Sequence, residues 1–213
     1  MRRRRRIQAG LTVLVLVLGT SGFAGWRWWH NRAPYGPEVL ALTATLELVD
    51  NEGAAAALGA EPAPHADVGD QLVLGRVSWR PPAELRRGAT FWIVVLDKRT
   101  QLKPTVFGLA SPRQDAVSMG SHGYLQKAAD RYPWLRGIAG QEVDGVWTTS
   151  GTSIHVTTPD ATPVTFVGIF PDARRQPAEP LIATAPVAVS DLLVAFVYMG
   201  PDGQLYWAHR LLG

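Results

Sequence analysis

The chain has 213 residues, 46% of them hydrophobic and 18% charged, which is enough for one core of domain size. It contains no cysteine, and this excludes disulfide staples, a thiol nucleophile, lipid attachment through cysteine and thiolate metal sites. The formal charge of +3 hides an asymmetry: seven of the 21 basic residues and no acidic one lie in residues 1–32, which leaves 14 basic against 18 acidic side chains beyond them. No basic stripe remains to neutralise phosphates, so nucleic acid is not an expected partner.

Residues 1–32 set the topology. Arg2 to Arg6 form a cationic block, Ile7 to Gly25 carry no formal charge, and Trp26-Arg27-Trp28-Trp29-His30 follow. Twenty residues of helix rise about 30 Å, one bilayer core. In lipid the backbone of such a segment must satisfy itself, which a helix does. Five arginines are costly to translocate, so the spacing predicts a cytoplasmic tail (1–6), a signal-anchor helix (7–29), a tether (30–38) and an extracytoplasmic domain (39–213). Trp26, Trp28 and Trp29 are expected at the far membrane interface. The alternative is a cleaved signal peptide: Gly22-Phe23-Ala24 supplies small residues for cleavage near Ala24, giving a secreted domain. In either case the partner of the first segment is the lipid bilayer.

The rest reads as short strands. Asn31 to Pro37 is Pro-rich and reads as tether. Leu40 to Leu48 alternates with period two, the pattern of a half-buried strand. Gly53 to Asp70, rich in Ala and Pro, reads as a surface loop in which Ala54 to Leu58 make one helical turn. Gln71 to Trp79 reads as a strand stopped by Pro81-Pro82. Phe91 to Leu96 is continuously apolar, as in a strand buried on both faces. Thr105 to Leu109 is a short strand, and Ser121 to Arg131 is the helix expected outside the membrane, capped by Ser121 and limited by Pro133. Strands follow at Val143 to Thr149, Thr152 to Thr158 and Val164 to Phe170, and Arg174 to Glu179 is a loop. Leu192 to Met199 and Gln204 to Leu211 flank the turn Gly200-Pro201-Asp202-Gly203, where Pro presets φ and Gly203 supplies positive φ. Strands punctuated by Gly, Pro and Asp, with one short helix, predict an all-β sandwich in a single domain.

Gly88-Ala89-Thr90-Phe91-Trp92-Ile93-Val94-Val95, followed by Val164-Thr165-Phe166-Val167-Gly168-Ile169-Phe170, resembles a strand pair in uncharacterised Ig-like β-sandwich modules of bacterial surface and membrane proteins. The resemblance implies an Ig-like antiparallel sandwich and carries over no chemistry. Ser118 to Gln141 departs from the minimal form of that sandwich.

Candidate chemistry is sparse. Ser118-Met119-Gly120-Ser121-His122-Gly123 sets a serine beside a histidine, so Ser121 and His122 are weak candidates for a hydrolase nucleophile and base. The stretch lacks a Gly-x-Ser-x-Gly elbow and reads more simply as a turn capping a helix. The five histidines, His30, His65, His122, His155 and His209, show no metal-ligand spacing, and Gly137-Ile138-Ala139-Gly140 lacks the Lys-Ser/Thr of a phosphate loop, so neither metal nor cofactor is expected. Tyr124, Tyr132, Trp134 and Trp147 are candidates for an aromatic patch that takes a glycan or an envelope protein, with core packing as the competing reading. The expected function is a membrane-anchored binding or assembly module. Alternatives are an envelope hydrolase using Ser121 and His122, or a passive subunit of a membrane complex.

Overall fold

Apolar runs and alternating segments assemble into two antiparallel sheets. The computed structural model describes residues 22, 25–26, 32–59, 65–82, 88–120, 131–138, 141–143, 146–148, 152–174, 182–201 and 203–213. The chain divides into two compact units, Met1–Pro34 and Tyr35–Gly213. In the first, Gly22, Gly25 and Trp26 are helical, and the rest of the expected anchor, Trp28 and Trp29 included, lies outside the described residues. No helix among the described residues is long and apolar enough to cross a membrane.

In the second unit the strands are β1 (Thr43–Val49), β2 (Gln71–Ser78), β3 (Thr90–Asp97), β4 (Thr105–Ala110), β5 (Val117–Gly120), β6 (Gln141–Val143), β7 (Val146–Thr148), β8 (Ser153–Val156), β9 (Val164–Phe170), β10 (Leu192–Met199) and β11 (Leu205–Leu212). One sheet runs β1-β2-β9-β4, the other β11-β10-β3-β8-β5, and β6-β7 form a two-stranded ribbon. This is the expected sandwich. The two segments that carry the Ig-like resemblance, β3 and β9, lie in opposite sheets.

Register explains the burial. Pairing of Val73 with Gly168, Gly75 with Phe166 and Val77 with Val164 puts these side chains on one face of the first sheet. In the second sheet Phe91, Ile93 and Val95 share a face with Tyr198, Phe196 and Val194. These two faces meet: Val73 and Phe170 pack with Leu192, and Trp79 lies 6.0 Å from Phe91 and 5.3 Å from Phe196 between ring centroids. Trp79 is fixed there because its indole N–H donates to the Pro159 carbonyl at 2.7 Å.

Both sheets are also apolar on their outer faces, and each has its own cover. On the first sheet the cover is α1 (Asn51–Leu58), which sets Ala54 and Leu58 against Leu72, Val167 and Ile169. The Asp50 carboxylate caps α1 by accepting from Gly53 N–H at 2.7 Å, and Gly59, at φ 58°, closes the other end. Helix and sheet approach closely because Gly108 has no Cβ, and one added there would overlap Leu58 Cδ1. On the second sheet the cover is a 3-10 segment, Pro133–Ile138. Its Leu135 is fully buried against Trp92, Val94 and Leu96 of β3 and Leu193, Ala195 and Val197 of β10. Burying one such leucine contributes roughly 1.5–3 kcal/mol.

Three local expectations change. Pro37–Leu40 is a 3-10 turn, so β1 starts at Thr43 rather than Leu40. Where the sequence predicts a loop with one helical turn at Ala54 to Leu58, the eight-residue helix α1 starts two residues before that loop, at Asn51, and runs to Leu58. Ser118, Met119 and Gly120, read as a turn, belong to β5 and pair with His155, Ile154 and Ser153. The helix expected over Ser121 to Arg131 lies outside the described residues except for Arg131.

Gly75 is the tightest point of the inner layer, since an added Cβ would overlap the Phe166 ring. Gly75→Ala is expected to cost roughly 1–3 kcal/mol through overpacking, read as a lower midpoint in urea or thermal unfolding. An unchanged midpoint would show that Phe166 has room to move.

Candidate functional site

The residues singled out from sequence do not converge on one described site. Ser121, His122 and Tyr124 lie outside the described residues. Tyr132 and Trp134 make an edge-to-face pair, 5.7 Å between centroids, beside Leu135, and both pack on the outer face of the second sheet. Each carries a guanidinium: Arg131 stands 5.5 Å from the Tyr132 centroid and Arg210 stands 5.1 Å from that of Trp134. Trp147 sits in β7, and its side chain lies outside the description. His155 stacks on Trp92 at 4.4 Å, and His65 lies 3.9 Å from the Asp67 carboxylate. Among the described residues no group of three or more histidines and carboxylates is placed to hold a metal ion.

Two buried charges stand out among the described residues, Lys103, which sequence reasoning missed, and Asp97. Lys103 is 1% exposed in the crossing between β3 and β4, and its ammonium has the hydroxyl of Ser153, also 1% exposed, at 3.4 Å. Burial pulls the Lys103 amine down to about 8. A depressed lysine beside a serine is the arrangement that activates a serine nucleophile, but here both groups are enclosed and no substrate reaches the hydroxyl in this conformation. The pair therefore counts against stability without forming an open catalytic site.

Asp97, at the end of β3, is the opposite case. It is 1% exposed and accepts from Arg99 N–H at 2.9 Å, Nε at 3.0 Å and Nη2 at 3.0 Å. Burial alone would push its carboxyl up, and the Arg99 hydrogen bonds and charge outweigh that and hold it below the usual range. Arg99 also donates to the Pro186 carbonyl at 3.0 Å and meets Asp191 at 3.5 Å, so one guanidinium ties the β3–β4 turn to the approach to β10.

A recess of about 390 Å³ opens where β1 runs into α1, floored by Leu48 and Leu72 and rimmed by Asp50, Asp67 and Asp70. Its carboxylates are engaged in holding loops. Asp50 caps α1, while Asp70 accepts from the backbone N–H groups of Asp67 and Asp172 at 3.1 and 2.8 Å. Asn51 clamps the same loop through two hydrogen bonds with Ala66.

The feature with the strongest chemical consequence is the edge made by β1. Exposed strand edges invite pairing with another chain, and proteins blunt them by shortness, bulges, proline or lysine. Three of the four edges of the two larger sheets are blunted. β4 has a register shift between Val106 and Gly108, β11 has two, and β5 is four residues long. β1 runs seven residues against β2, Thr43 with Ser78 through Val49 with Leu72, without a shift. Its sequence, Thr-Ala-Thr-Leu-Glu-Leu-Val, contains one charge and no proline. No described hydrogen bond reaches β1 from the side away from β2. Leu48, which shares the inner face with Leu46, is 45% exposed at this edge.

No known protein-family model matches the chain, and no curated protein is significantly similar to it.

Lys103→Met is expected to stabilise the protein at pH 7 by about 3 kcal/mol, since the folded amine sits near 8 and the unfolded one near 10.5. The unfolded chain binds more protons between those values, so wild-type stability should rise with pH from 8 to 10.5 and the variant's should not. Urea midpoints across that range decide it. A methionine variant of unchanged stability, with the same pH dependence as wild type, would contradict the burial argument.

Proposed function

We propose that this chain is a single-pass, membrane-anchored bacterial protein whose β-sandwich works outside the cytoplasm as a binding and assembly module. The observation that carries the assembly reading is the unblunted edge of β1: seven residues of regular strand, paired with β2 on one side and with no strand partner on the other among the described residues, where the other sheet edges are bulged or short. Since α1 and the Pro133–Ile138 segment cover the apolar parts of the outer faces, this reading assigns recognition to an edge. Strand addition suits such a surface, with backbone hydrogen bonds supplying affinity and alternate side chains supplying selectivity.

The anchor reading is supported by Arg2 to Arg6, the uncharged segment from Ile7 to Gly25 and the tryptophans that follow. The sandwich takes hold of the chain soon after this segment: the Tyr35 ring stacks on Tyr198 at 5.2 Å, and the Trp207 indole donates to the Tyr35 carbonyl at 2.9 Å. An anchored domain is held at the membrane, where its effective concentration for an envelope partner is raised.

The test uses the full-length chain expressed in a bacterial host, with one variant carrying Thr45→Lys and Glu47→Lys on the exposed face of β1. Both proteins should remain in membranes after alkaline extraction, with the C-terminal domain digested by protease added from outside. The wild-type chain should assemble into a larger complex on native gels, and the variant should not. Release of the domain with a new N-terminus near Ala24 would replace the anchor by a cleaved signal. Equal assembly of wild type and variant would end the β1 reading.

A further inference from the structure

We infer that β1 pairs with β1 of a second copy of this chain, antiparallel and centred on Leu46, to make one continuous sheet across two sandwiches. This rests on the assembly reading of the same edge and names its occupant; it does not depend on the anchor. A two-fold interface must be self-complementary, and β1 meets that condition in this register. Leu46 lies against the partner's Leu46, and Ala44 against the partner's Leu48, so the apolar inner-face residues at the edge cover one another. On the outer face Thr45 lies against the partner's Glu47, and Thr43 against the partner's Val49. Parallel in-register pairing would instead set Glu47 against the partner's Glu47, an unfavourable like-charge contact.

The charges agree with the antiparallel register. Arg76 pairs with Thr45 in the β1–β2 ladder and shares its outer face. In the pairing it stands in line with Thr45 and the partner's Glu47, two strand spacings or roughly 10 Å between backbones, which extended arginine and glutamate side chains bridge over a threonine. Among the described residues neither Arg76 nor Glu47 has an ion-pair partner within its own protomer. Two-fold symmetry makes this contact twice.

Because the chain has no cysteine, single cysteines report the register cleanly. Purified full-length protein in detergent is oxidised mildly with Leu46→Cys. Strands paired in this register bring the two Cα atoms to about 4.5–5.5 Å, within disulfide range. Thr45→Cys with Glu47→Cys, on the exposed face, serves the same purpose should loss of Leu46 impair folding. Met119→Cys on β5, 46% exposed, is the control. Disulfide-linked dimers are expected for both β1 variants and not for the control. Glu47→Lys and Arg76→Glu should each weaken the dimer about tenfold, and the two together should restore it.

A full-length chain that is monomeric by light scattering, with no β1 cross-link, would overturn the inference. If β1 variants then lose a different protein from native complexes, the edge serves that protein, and the assembly reading stands without self-association. If charge reversal at Glu47 and Arg76 changes neither, both readings fall.

Discussion

Much of this molecule follows from central strands that are apolar on both faces. β3 and β10 are buried along almost their whole length, so a simple two-layer sandwich would leave half of their side chains in water. The chain meets that demand with its own segments: Leu135 and its neighbours close the second sheet, and α1 closes the first. Gly108 under Leu58 lets α1 approach the first sheet, and Gly75 leaves room for the ring of Phe166 on the neighbouring strand to lie across it. With the faces consumed by internal packing, the exposed backbone of the strand edges is the part of the sheets left to interact outside.

The edges differ in kind, and that difference carries the functional argument. Bulges, shortness and basic side chains such as His209 and Arg210 set β4, β5 and β11 apart from a regular pairing template. β1 has none of these devices. Maintaining such an edge exposes a protein to aggregation unless a specific occupant covers it. A second copy satisfies the side chains of β1 in one register and brings Glu47 of β1 into line with Arg76 of β2, neither of which has an ion-pair partner among the described residues of its own protomer.

Much of the fold is legible in the residues. The continuous apolar run at Phe91 to Leu96 announces a strand buried on both faces, and Gly200-Pro201-Asp202-Gly203 announces the β10–β11 hairpin. The alternation at Leu40 to Leu48 finds β1 but overruns its start, because Leu40, which ends the 3-10 turn, and Leu42 extend the period-two pattern back across Ala41, whose φ of 45° is not that of a strand. β5 escapes because Ser118-Met119-Gly120 has no strand-like pattern, and pairing with β8 creates the strand. α1 is half-hidden for a related reason: its Ala-rich face is only weakly apolar, and its cap, Asp50, lies just before the segment read as loop. The site is less legible than the fold. Nothing local tells a surface lysine from the enclosed Lys103, and edge status is a property of sheet order that no single strand encodes.

The account turns on whether the free side of β1 is covered when the protein is at work. Amide hydrogen exchange across Thr43–Val49, followed in the full-length chain over a hundredfold range of concentration, measures this directly. The account predicts that part of this segment exchanges slowly in concentrated protein and quickly in dilute protein, while β3 and β10 stay protected throughout. Exchange in β1 that is fast and independent of concentration would contradict it.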